Sequence, residues 1–165
     1  MRMRRATTPS ADRADLLLVC SPGGHLLQMV ALRPAWERFS RAWVTLDSSD
    51  GRSLLDGEVV INANGPAHRS LTNLLRNLRL AWRVVGRVRP GAIVTTGAAL
   101  AVPFALVGRI RRVPVVYVES FTRVERPSLS LRLVRPFASR IYVQWPDLAE
   151  SVPGARYAGN VFALR

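Results

Sequence analysis

From residue 15 to residue 143, apolar runs of strand length alternate with segments of helical spacing, and this limits the fold more than any other feature. The runs at residues 15–20, 42–46, 59–61, 92–95, 114–118 and 141–143 are nearly continuous apolar stretches, as strands buried on both faces are. Between them the spacing turns helical. One helix begins near Leu26, with Pro34 breaking or restarting it, and a short one lies around residues 53–55. A longer one runs from an N-cap at Ser70 to Val88, stopped by Pro90. Others cover residues 99–110 and 128–134. Such alternation specifies an α/β chain with a doubly wound, Rossmann-like parallel sheet. Residues 1–14 are basic and patternless and are expected to form a disordered arm, leaving residues 15–165 as a single domain.

Charge narrows the possible partners. The chain carries 24 basic and 11 acidic residues, a formal charge of +13, and every basic residue is arginine. Without lysine there is neither Schiff-base chemistry nor a P-loop. A surface this positive favours an anionic partner: a nucleic acid, an anionic membrane or a phosphorylated substrate. Nucleic acid is not expected, because no helix-turn-helix, RNP-like aromatic pair or zinc spacing occurs. The single cysteine, Cys20, excludes an internal disulfide and a cysteine-rich zinc site, and with only His25 and His68 beside it no metal is expected. A reducing cytoplasmic setting follows. The first apolar run is too short for a signal peptide. Residues 91–108 are uncharged and near the lower length limit for a membrane helix, but Thr95, Thr96, Gly97 and Pro103 interrupt them. A strand, a glycine turn and a helix are expected there.

Gly23 and Gly24 follow the first strand, and Gly97 follows the fourth. In the common 3-2-1-4 order these strands are neighbours at the topological switch point, where ligands enter α/β sheets. Each turn leads into a helix, so backbone N–H groups and two positive dipole ends converge there, and a diphosphate is the natural occupant. The GxGxxG spacing of dinucleotide binders is missing, and only Asp47 stands near the ribose position, so no nucleotide cofactor is expected. The alternative is that these glycines only make tight turns. His25 opens the first helix, where the dipole favours a neutral imidazole able to accept a proton. Its alternative is a capping or packing histidine. Glu119 ends the fifth strand at the same rim, placed to bind sugar hydroxyls, act as a base, or pair with Arg123 or Arg126. Cys20 reads as a core residue.

The helix at 70–88 has an apolar stripe of Leu71, Leu74, Leu75, Leu78, Trp82 and Val85. Arg76, Arg79, Arg83 and Arg87 recur on another face, Arg69 and Arg89 flank the set, and no acid intervenes. Arg109, Arg111 and Arg112 close the next helix. A solvated face usually mixes signs; arginine beside Trp82 suits anionic lipid headgroups instead. Membrane-surface contact through Arg76, Arg79, Trp82, Arg83 and Arg87 is the favoured reading over a plain core-facing helix.

Five motifs occur in order: Ser21-Pro22-Gly23-Gly24-His25, the stretch from Arg89 to Gly97, Glu119-Ser120-Phe121-Thr122-Arg123, Gln144-Trp145-Pro146 and Gly159-Asn160. With them the chain resembles the PssD-type polysaccharide biosynthesis proteins, relatives of the anchor subunit of the eukaryotic two-part UDP-GlcNAc transferase. It is also similar to the N-terminal half of the MurG lipid-linked glycosyltransferases, though these have a His-Glu-Gln-Asn run where this chain has Glu-Ser-Phe-Thr. The resemblance implies the acceptor-side half of a GT-B enzyme, with the UDP-sugar held by a separate donor-binding chain. It implies an inverting transfer to a polyprenyl-diphosphate-linked saccharide, in exopolysaccharide or capsule synthesis, with no cofactor or metal. By the same resemblance Ser21, Gly23, Gly24, Thr96, Gly97 and Arg123 face the acceptor diphosphate, and His25 or Glu119 removes the proton. The eukaryotic anchor helix has no counterpart here, so peripheral attachment at the cytoplasmic face of the plasma membrane is expected. The alternative is a non-catalytic scaffold that recruits the catalytic chain to the membrane.

Overall fold

A computed structural model describes residues 13–65 and 71–163. In chain order the elements are β1 (Leu16–Val19), α1 (Gly24–Ala31), α2 (Arg33–Trp36), β2 (Arg41–Thr45), α3 (Ser49–Leu54), β3 (Val60–Asn62) and α4 (Leu71–Val88). There follow β4 (Ala92–Thr95), α5 (Ala101–Ile110), β5 (Val115–Val118), α6 (Leu129–Val134), β6 (Arg140–Val143), α7 (Pro146–Ser151) and β7 (Ala155–Tyr157). The described strands form one parallel sheet in the order β3-β2-β1-β4-β5-β6-β7. The expected α/β, doubly wound, Rossmann-like architecture is the one found. Residues 91–108 divide into β4, a turn and α5, and no described helix is long and apolar enough to cross a membrane.

Alternation along each strand sorts side chains between the two faces. Leu17, Val19, Ala42, Val44 and Ile93 point into the larger core, which α4 to α7 cover. Leu18, Cys20 and Trp43 point into the smaller one under α1 and α2, where Trp36 meets Trp43 edge to face at 5.4 Å between ring centroids. Pro34 restarts the helix as α2, and Trp36 Nε1 donates to the Met29 carbonyl at 2.8 Å, binding the two helices together. Ala14 is 4% exposed and belongs to the larger core, so ordered packing begins before residue 15. Residues 1–12 of the expected arm, the Ser70 cap, Arg69 and His68 lie outside the described residues.

α5 packs closely on the sheet through Gly108. A Cβ there would stand 2.7 Å from Val115 Cγ2 and 3.0 Å from Ile93 Cδ1. Gly108→Ala is therefore expected to destabilise the domain by about 1–3 kcal/mol through overpacking, read as a lowered urea midpoint at unchanged slope.

α4 departs from the expected arrangement. Its core face is Asn73, Asn77, Ala81, Val84, Val85 and Val88. Of the expected apolar stripe, Val85 is buried and Leu78 half-buried, but Leu71 (72%), Leu74, Leu75 and Trp82 (48%) are exposed. The buried asparagine explains the rotation. Asn77 Oδ1 accepts from the Asn64 backbone N at 2.8 Å, and Asn77 Nδ2 donates to the Asn64 carbonyl at 2.9 Å. This paired bond fastens α4 to the segment after β3 and satisfies a polar group that burial would otherwise penalise.

Candidate functional site

The two glycine turns lie at the C-terminal ends of β1 and β4, which are adjacent and in register from Leu16↔Ala92 to Val19↔Thr95. Gly23 is the N-cap of α1 with φ 73°. Gly97 has φ 101°, and a Cβ there would fall 2.7 Å from Tyr117 Oη and 3.6 Å from His25 Cε1. Glycine is thus needed at 97 for conformation and for close approach together. Ala98 follows with φ 63°, a left-handed alanine costing about 1–2 kcal/mol. Helix α5 accordingly begins at Ala101, two residues later than its spacing implies.

His25 joins the two turns. Its Nδ1 lies 2.7 Å from the Thr96 carbonyl oxygen, and the Thr96 hydroxyl donates to the His25 carbonyl at 2.8 Å. A carbonyl oxygen only accepts, so Nδ1 carries a proton and, in the neutral ring, Nε2 holds the lone pair. Among the described residues Nε2 makes no hydrogen bond. The half-buried ring is thus held at one nitrogen and available at the other.

Glu119 is held differently. It is 1% exposed and turned into the protein. Oε1 accepts from the Ser120 N at 2.8 Å, and Oε2 accepts from the Ser128 N and hydroxyl at 2.9 Å each. Ser128 Oγ in turn caps α6 by accepting from the Leu131 N at 3.0 Å. These donors take the place of the expected arginine partners, and Arg123 and Arg126 are both exposed. Tyr117, whose hydroxyl is 3.4 Å from Oε1 and pressed against Gly97, has its phenol pushed well above the ordinary value by burial and by the Glu119 charge.

Of the other expected diphosphate contacts, Gly23 and Gly24 are exposed and a Cβ at either would meet nothing within 4 Å. Ser21 is half-buried, and Arg123 is exposed on the loop after β5. The Gly23 amide already donates to Asp50 Oδ2 at 2.7 Å. Hydrogen bonds from Ser48 and from Gly23 hold that carboxyl below the ordinary carboxylate range. The first negative charge at the α1 terminus is therefore the chain's own. Thr96 is buried and its side chain is turned to His25. Cys20 is a core residue, its thiol pushed up to about 12 by burial. Asp47 pairs with Arg52 on the surface.

Sequence reasoning passed over Gln28, one helical turn beyond His25 and 0% exposed. Its Nε2 donates to the Glu119 carbonyl at 2.8 Å and its Oε1 accepts from the Phe121 N at 3.1 Å. Trp145 Nε1 then donates to the Phe121 carbonyl at 2.7 Å, and the Phe121 ring meets Phe162 edge to face. The signal was a glutamine among the buried positions of an amphipathic helix. α1 is thereby bonded to the ends of both β4 and β5.

On α4, Arg76, Arg79, Arg83 and Arg87 are exposed beside Leu71, Leu74, Leu75 and Trp82. The Arg111 guanidinium lies 4.1 Å from the Trp82 ring centroid, so the cationic end of α5 joins the same surface.

A parallel sheet of this order, with glycine turns meeting at the switch point, defines the class: a Rossmann-like α/β domain. The chain superposes on Acinetobacter baumannii MurG with a TM-score of 0.72 at 16% identity, over 92% of this chain and 46% of that one. UDP-N-acetylglucosamine 2-epimerase from Rickettsia bellii gives 0.68 at 10% identity, over 88% and 44%. The chain belongs to the Alg14 family, whose model (oligosaccharide biosynthesis protein Alg14 like) matches residues 60–161. It is similar to the UDP-N-acetylglucosamine transferase subunit ALG14 of Yarrowia lipolytica, 28% identical over 92% of this chain and 82% of that protein. The corresponding subunit of Schizosaccharomyces pombe is 42% identical over 44% of this chain and 37% of its own length, and the human one 33% identical over 53% and 43%. The matched regions thus span less than half of these last two relatives.

Proposed function

We propose that this chain is the acceptor-side, membrane-contacting subunit of a two-component inverting glycosyltransferase. A separate chain binds the UDP-sugar, and the acceptor is a polyprenyl-diphosphate-linked saccharide of exopolysaccharide or capsule synthesis. The observation that carries this reading is the joining of the two glycine turns through His25 and Thr96. It supports a base with a defined lone pair at the place where α/β sheets take their ligands.

In the reaction, Nε2 of His25 takes the proton from the attacking acceptor hydroxyl. The hydroxyl oxygen forms a bond to the anomeric carbon of the donor sugar, and the bond from that carbon to UDP breaks. UDP leaves with the electron pair. The exposed Gly23–Gly24 turn and Arg123 offer hydrogen bonds and charge to the acceptor diphosphate, which competes with Asp50 for the Gly23 amide. Glu119 acts as a brace under the rim and not as the base. The exposed α4 surface supports peripheral attachment to an anionic membrane at its cytoplasmic face.

The buried state of Glu119 also favours a second reading, a scaffold that recruits the catalytic chain and does no chemistry. Reconstitution tests the subunit reading, and His25→Ala in the same mixture separates it from the scaffold. Mixing this chain with its donor-binding partner is expected to transfer labelled sugar from UDP-sugar to a polyprenyl-diphosphate saccharide, where neither chain alone does so. Full-rate transfer by the partner alone would overturn the subunit reading.

A further inference from the structure

We propose that Thr96 is a positioning residue that sets the tautomer of His25. Its two polar groups hold the same residue from both sides: the carbonyl takes the ring Nδ1–H at 2.7 Å, and the hydroxyl donates to the histidine's own carbonyl at 2.8 Å. The first bond fixes which nitrogen is protonated. The second fixes the backbone from which the ring projects. Together they leave Nε2 as the basic nitrogen.

The turn that aims the Thr96 carbonyl is built for this purpose at several points. Gly97 has φ 101°, and its N–H is held by Thr95 Oγ1 at 3.2 Å. Tyr117 Oη lies 2.7 Å from where a Cβ at 97 would be, too close for a side chain there. Ala98 keeps a left-handed conformation that an ordinary turn would give to glycine. Such strain persists only where the surroundings over-determine it, and it collects at working sites. Helix α1 is steadied independently one turn on, where Gln28 bonds the segment after β5. The imidazole is therefore referenced to two strands of the sheet. Thr96 lies wholly within the protein, so it serves the base and does not touch the acceptor with its side chain.

This inference rests on the reading of His25 as the base, and its test keeps the two apart. The full chain is labelled with ¹⁵N in its histidines, and the protonated ring nitrogen of His25 is identified by NMR in the native chain, Thr96→Val and Thr96→Ser. Turnover by each in the reconstituted two-chain enzyme supplies the second readout, with melting curves to verify folding. The native chain is expected to show a single Nδ1–H tautomer. Thr96→Val, which keeps the carbonyl and loses the hydroxyl, is expected to keep the Nδ1–H tautomer but release the backbone from which the ring projects, lowering kcat about tenfold at unchanged KM. Thr96→Ser is expected to restore kcat. An Nε2–H tautomer in the native chain, or a kcat indifferent to Thr96→Val in a folded chain, overturns the inference. A single Nδ1–H tautomer in the native chain with turnover unchanged by His25→Ala upholds the clamp and overturns His25 as the base.

Discussion

Replacing His25 with alanine is expected to lower kcat of the reconstituted enzyme by about 10²–10⁴-fold, the usual contribution of a positioned general base. The fold should survive. Of the two bonds between the glycine turns, only the one through the ring is lost, because the Thr96 hydroxyl donates to the backbone carbonyl of residue 25. One hydrogen bond of this kind is worth about 1 kcal/mol. Glu119→Ala should behave in the opposite way. It strips buried partners from the Ser120 and Ser128 amides and loosens the α6 cap, at ~1–3 kcal/mol for each buried donor left unpaired. Its melting temperature should fall more than its turnover per folded molecule. Turnover within threefold of native after His25→Ala would remove the base assignment and leave recruitment as the chain's role.

Changing Arg76, Arg79 and Arg83 together to glutamine is expected to weaken binding to vesicles containing anionic lipid by roughly 10²-fold. Each arginine near such a surface contributes about 1 kcal/mol, and three sum to about 3. All three are exposed, so the fold should be unaffected within about 0.5 kcal/mol. Added salt should weaken native binding in the same direction, since a Debye length falls to about 3 Å at 1 M. Trp82→Ser should reduce binding through a different contribution, the apolar contact beside the arginines, and with less dependence on salt. Flotation of the triple variant equal to native would exclude α4 as the contact surface.

The sheet was legible in the sequence because its parallel strands are covered on both faces. Residues 15–20 and 92–95 read as apolar runs whichever face is considered, and the glycines after them mark where each chain segment leaves the sheet. β7 could not be read so: it is three residues long at an edge, and Arg156 and Tyr157 are exposed. α4 shows a different limit. Periodicity locates an apolar face but does not say what covers it, and two asparagines displaced most of the leucines from the core. At the site, the position of His25 at the start of α1 was legible from the double glycine before it. Glu119 was placed at the right rim but aimed the wrong way, because its direction depends on Ser128, nine residues on. Gln28 and Asp50 act on segments 91 and 27 residues distant, and no local pattern records such a bond.

The strand order also bears on how the chain is made. β1 sits between β2 and β4, and its Leu16 pairs with Ala92, 76 residues later. At ~5–20 residues per second, translation leaves one flank of that strand open for roughly 4–15 s after it emerges. During that interval Leu17, Leu18 and Val19, fully buried at the end, stand beside an unpaired backbone edge. The element that later carries the His25 turn is thus the one most in need of protection during synthesis.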